Sequence, residues 1–148
     1  MSNQVIILLM FIVPWLTLFF IKKQNLNRFI SAGLFTAVTS GVIYQFGIMF
    51  RFWYFKEISF PLIMYGTLPV AAMWVLRFTY GRYWIYTLTN AILDFGFAFV
   101  LFPWFGRIEI LGTGPWTGLI VYGINFIHAA LVYGYQVWRD GTLRESKQ

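Results

Sequence analysis

Residues 29–50 read FISAGLFTAVTSGVIYQFGIMF, and none of them is charged. As a helix, a run of about 20 apolar residues crosses the roughly 30 Å hydrocarbon core of a bilayer. Gly33, Ala37 and Gly41 recur every four residues and so share one face of that helix. Small side chains on one face let another helix backbone come close. Thr36, Ser40 and Tyr44 form an adjoining stripe at the same spacing, which packs against a neighbour or lines a polar cavity. The stretch therefore reads as the central packing helix of a membrane protein.

Four further apolar runs lie on either side of it. They cover residues 4–21, 61–80, 83–105 and 115–138, separated by KKQNLNR, RFWYFKEISF, YGR and GRIEILGTG. The expected fold is all-α: a domain of five transmembrane helices over 1–138, with a polar, frayed cytoplasmic tail at 139–148. The first run reads as a retained helix and not a signal peptide. Its leading MSNQ carries no basic residue, and Lys22 and Lys23 follow the apolar stretch instead of preceding it.

Composition agrees. Hydrophobic residues make up 59% of the 148 and charged residues 11%, far from the ~25% charged of an ordinary soluble domain. A soluble chain of this size could not bury so much apolar surface. The solvent is therefore read as lipid. The net charge of +6 does not point to nucleic acid, because the basic residues flank apolar runs and form no stripe. Arg51, Lys56 and Arg107 fall on the side of the N-terminus. Lys22, Lys23, Arg28, Arg77, Arg82, Arg139, Arg144 and Lys147 fall on the other. Three against eight places the N-terminus outside and the C-terminus in the cytoplasm. Trp53, Tyr54, Trp104 and Trp116 read as outer-interface markers, and Tyr83, Trp84 and Trp138 as inner ones. Pro14, Pro69 and Pro103 fall inside spans, where neighbouring helices must satisfy the carbonyls they free.

One intramembrane acid stands out. Asp94 lies in TNAILDFGFAF, and an aspartate at a helix centre costs about 2.5–3.5 kcal/mol on insertion scales. Tyr86, Asn90 and Asp94 share a face at i, i+4 and i+8. The fifth span offers Tyr122, Asn125 and His128 at helical spacing. The two spans run antiparallel about a loop centred near Glu109. Equal distances from that loop put Asn125 at the depth of Asp94, and His128 about one turn deeper, near Asn90. The expectation is a midplane cluster of Asp94, Asn90, Asn125 and His128, flanked by Tyr86 and Tyr122. It would serve either proton, ion or solute handling or interhelical hydrogen bonding. Outside the spans, Arg107 with Glu109 and Lys56 with Glu57 read as solvated pairs.

Enzyme chemistry finds little support. There is no cysteine and one histidine, which leaves no usual zinc set and no thiol nucleophile. GTGPW lacks the later glycine and lysine of a phosphate loop. Only one aspartate lies within a span, so no aspartyl pair forms. Ser40 with His128 would be a serine dyad, but Val38 stands where an intramembrane protease of the rhomboid type has glycine. No span carries a lysine for a retinal linkage. No metal and no cofactor are expected.

Some features are shared more widely. IKKQNLNR follows the first helix, then come Ser59-Phe60, Tyr65 and Pro69 in the third span, Tyr80 at its end, and Glu109 shortly before Trp116. In this the chain resembles an uncharacterised family of small multi-span membrane proteins from spore-forming Firmicutes. It departs from that pattern at Met64, where an acidic residue would stand. The resemblance implies the topology and a Gram-positive plasma membrane, and brings no activity with it. The leading functional expectation is a transport or permeation component in contact with the lipid bilayer. The rival is a non-catalytic assembly subunit whose polar residues serve packing. Either favours a homo-oligomer or a membrane-protein partner.

Overall fold

The structure is a computed structural model describing residues 3–56 and 61–145. Helix α1 (Asn3–Thr17) ends in a single 3-10 turn (Leu18–Phe20), and α2 (Lys23–Met49) follows. After strand β1 (Trp53–Phe55) come α3 (Pro61–Thr79) and α4 (Tyr83–Gly96). A π-helical turn (Phe97–Leu101) joins α4 to α5 (Phe102–Arg107), and β2 (Leu111–Thr113) leads into α6 (Thr117–Glu145). Five helices are long and apolar enough to cross a membrane, with α4, the π turn and α5 forming one of them, Tyr83–Arg107. They match the five apolar runs.

Two helices outrun their expected ends. The basic break predicted at 22–28 is mostly helix, because α2 already begins at Lys23. The stretch holds neither glycine nor proline, and Lys, Gln, Leu and Arg are good helix formers. The predicted fraying at 139 also fails, since α6 continues to Glu145. Side chains bind the two extensions together. Arg28 donates through Nη2 and Nε to Asp140 Oδ2 at 2.7 and 3.2 Å. Gln136 Nε2 donates to Asp140 Oδ1 at 2.9 Å. The Arg28 guanidinium also lies over the Tyr80 ring, 4.7 Å from its centroid, which adds α3 to the same contact.

The α1–α3 pair shows how prolines inside long apolar helices are accommodated. Pro14 has no N–H and so frees the carbonyl four residues back, that of Met10. Thr67 Oγ1 of α3 donates to that oxygen at 2.8 Å. Pro69 likewise frees the carbonyl of Tyr65, and Trp15 Nε1 of α1 donates to it at 3.2 Å. Each helix repairs the other's proline. Between the two repairs sits Gly66. A Cβ added there would lie 2.5 Å from Phe11 Cα and 2.7 Å from Phe11 O. This is where helix backbones touch.

That finding corrects the expected role of Gly33, Ala37 and Gly41. The face does turn toward α3, but side chains and not backbone fill it. A Cβ on Gly33 would meet the Met73 side chain at 3.0 Å, and one on Gly41 would meet the Tyr65 hydroxyl at 2.7 Å. Ala37 is half-buried. The neighbouring stripe is the deeper one: Thr36, Ser40 and Tyr44 are all buried.

At the end of the molecule that holds Asn3, the loops build a cap. Strands β1 and β2 pair antiparallel, with Trp53 opposite Thr113 and Phe55 opposite Leu111. Gly47 gives way to the Trp53 indole, and Gly112 to the Tyr54 ring. Thr117 Oγ1 donates to Phe52 O at 2.9 Å, and Asn3 Nδ2 to Ile108 O at 2.8 Å. The ribbon also re-pairs the charges. Lys56 Nζ reaches Glu109 Oε1 at 3.4 Å, so Glu109 joins Lys56 across two loops and not Arg107 along one. Glu57 lies outside the described residues, as do Ser59 and Phe60. At the other end Gly81 takes φ +88°, a backbone that glycine adopts freely, and turns α3 sharply into α4.

Candidate functional site

Asp94, Asn90 and Tyr86 stand on one face of α4, as their spacing requires, and that face turns inward. With Asn125, His128 and Ala129 of α6, Thr36 of α2 and Thr67 of α3 they line a cavity of about 180 Å³. Asp94, Asn90, Asn125 and His128 thus share one space.

They do not bond to one another, which corrects the expected cluster. Asn90 Nδ2 donates back along its own helix to Tyr86 O at 2.8 Å. The Tyr86 hydroxyl donates across to Ala129 O at 2.8 Å. His128 Nε2 meets Thr39 Oγ1 at 2.6 Å. The Thr39 hydroxyl has one proton and directs it to Phe35 O at 2.7 Å. Asp94 Oδ2 is buried, and among the described residues it has no hydrogen-bond partner. The reason is reach. Asn90 and Tyr86 are committed to backbone carbonyls and His128 to α2, which leaves the aspartate facing the cavity.

Tyr122 is not part of the lining. Its ring packs on Phe95 and Phe99, with centroids 6.3 and 6.1 Å away. The π turn lies beside this contact. Phe102 N bonds to Phe97 O, five residues back, and Pro103 follows at once. One residue is added per π turn, which rotates everything beyond it. A count that assumes regular helix cannot place Tyr122 against such a segment.

A second, smaller cavity of about 30 Å³ adjoins the first. Ser40, Tyr44, Trp53, Met64 and Phe102 line it. Leu68, Phe97, Asn125 and His128 line both. The threonine–serine–tyrosine stripe of α2 thus lines polar space, Thr36 in the large cavity and Ser40 and Tyr44 in the small one. Trp53 was missed. It was read as an interface marker, but its ring is only 5% exposed and roofs the small cavity beneath the ribbon. The signal available was Gly47, the small residue that makes room for it. Trp84, Trp116 and Trp138 are exposed.

The serine-dyad geometry is not formed, since the histidine bonds Thr39 and not Ser40. Among the described residues no three His, Cys, Asp or Glu converge as metal ligands. No protein-family model, curated protein or solved structure matches the chain.

Proposed function

We propose that this chain is a multi-pass protein of a bacterial plasma membrane and acts as a transport or permeation component centred on Asp94. The observation that carries this reading is the unpartnered, buried Asp94 Oδ2 facing a cavity between four helices. A carboxylate held in hydrocarbon without a partner is destabilising, and such groups are retained where they bind something. Orientation with the N-terminus outside follows from the basic residues. Arg51, Lys56 and Arg107 gather at the ribbon end with Asn3, while Arg28 and Arg139 stand at the opposite one. The apolar outer surface of the helices suits a lipid neighbour, a second copy or a membrane partner. The plasma membrane of a spore-forming Firmicute is the setting that the sequence resemblance suggests.

One observation favours the packing role instead. The bonds His128–Thr39 and Tyr86–Ala129 tie helices together without any ligand, as expected of an assembly subunit. Asp94→Asn separates the two. It keeps the shape and removes the ionisable proton. In proteoliposomes a transport component should fold normally and lose proton- or cation-driven flux. Unchanged flux and stability would establish the packing reading.

A further inference from the structure

Five buried side-chain atoms among the described residues have no hydrogen-bond partner: Ser31 Oγ, Ser40 Oγ, Trp53 Nε1, Asp94 Oδ2 and Gln136 Oε1. Three of the five belong to residues lining the two adjoining cavities. Native structures leave few such atoms unsatisfied, so this grouping points to a common ligand. The chemistry of the three narrows its identity. An indole N–H only donates, a carboxylate only accepts, and a hydroxyl does both. A metal cation would suit Asp94 but oppose the Trp53 donor. An apolar molecule would satisfy none of them. Water satisfies all three. The small cavity, about 30 Å³, exceeds the ~10–15 Å³ that one water needs. Its walls offer Ser40, Trp53, Asn125 and His128 as polar neighbours, enough for a stably held water.

We infer that the two cavities form one hydrated site, in which a water held beneath Trp53 continues past His128 and Asn125 to Asp94. The titratable residues lining this path are Tyr44, Tyr86, Asp94 and His128, and the ion it can carry is the proton. In each step a proton passes from the Asp94 carboxyl to a water oxygen as that water releases one of its own to the next acceptor. No electrons move. Hydration stands independently of the transport reading, and only the identification of the proton as cargo rests on it.

Two buried methionines provide the test. Met64 lines the small cavity. Met73 is also buried, 1% exposed against 8% for Met64, but lines neither of the two cavities and packs against Gly33. Brief X-ray radiolysis of the full chain in proteoliposomes generates hydroxyl radicals from bound water, with a scavenger removing those made in bulk. Met64 should be oxidised several-fold more than Met73. Ser40→Val, which fills the small cavity, should abolish the difference, and Ser40→Ala should keep it. Equal oxidation of Met64 and Met73 in the wild-type chain overturns the inference, whether or not the valine variant folds. Selective Met64 oxidation in a chain that dissipates no pH gradient upholds the hydrated site and refutes the proton as cargo.

Discussion

Replacing Gly66 with alanine tests the helix contact on which the rest of the fold is built. The new methyl carbon would stand 2.5 Å from Phe11 Cα and 2.9 Å from Met10 O. Non-bonded carbons rest about 3.5–4.0 Å apart, so α1 must retreat by about 1 Å. Both obstructing groups are backbone, and no side-chain rotation can relieve them. Overpacking of this kind costs about 1–3 kcal/mol. The same retreat stretches the two repairs, Thr67 to Met10 O at 2.8 Å and Trp15 to Tyr65 O at 3.2 Å, beyond bonding distance. Each lost bond adds about 0.6–2 kcal/mol in a membrane protein. The sum is a destabilisation of about 2–7 kcal/mol. Gly33→Ala provides the comparison, because only the flexible Met73 side chain stands in its way, and its cost should stay below about 1 kcal/mol. Reversible unfolding in bicelles, followed by tryptophan fluorescence, measures both. Near-equal stability of the two variants would refute the claim that α1 and α3 touch through backbone at Gly66.

The proline repair predicts a coupling. Thr67→Val should cost about 1 kcal/mol in the native background and much less after Pro14→Ala, which returns an N–H to Met10 O; additive effects in the double-mutant cycle would mean that the hydroxyl is not the repairing group. Orientation predicts a labelling pattern: single cysteines at Asn3 and Thr113 should react with an impermeant reagent on intact cells while one at Ser146 should not, and the reverse pattern would invert the assignment.

The five long apolar helices were legible because a run of about 20 apolar residues has few readings other than a helix suited to lipid. That α4 and α6 bring Asp94 and Asn125 to one cavity was legible because it needs only the rise per residue and the position of a turn. Lateral detail was harder. In a membrane the outward face of a helix is as apolar as its inward face, so periodicity scarcely says which side packs. Gly66 shows this: one glycine among apolar neighbours meets the backbone of α1, while the regular Gly33–Gly41 spacing turned out to receive side chains. The ribbon escaped notice because each strand has three residues, too few to show alternation. Its pairing decided both the partner of Glu109 and the burial of Trp53. The cavity itself depended on which bonds Asn90 and His128 had already made, and spacing cannot reveal that.

The reciprocal prolines bear on the order of biosynthesis. A chain threaded into the bilayer from its N-terminus delivers α1 with the Met10 carbonyl still unsatisfied. The group that satisfies it, Thr67, emerges only after α2 and the intervening loop have been made. Until then α1 holds a site that just one later segment fits, and α3 arrives with a matching unsatisfied carbonyl at Tyr65. Arrival of α3 closes both at once. In the proposed membrane placement, the first and third helices can therefore satisfy each other's freed carbonyls before the fourth is complete.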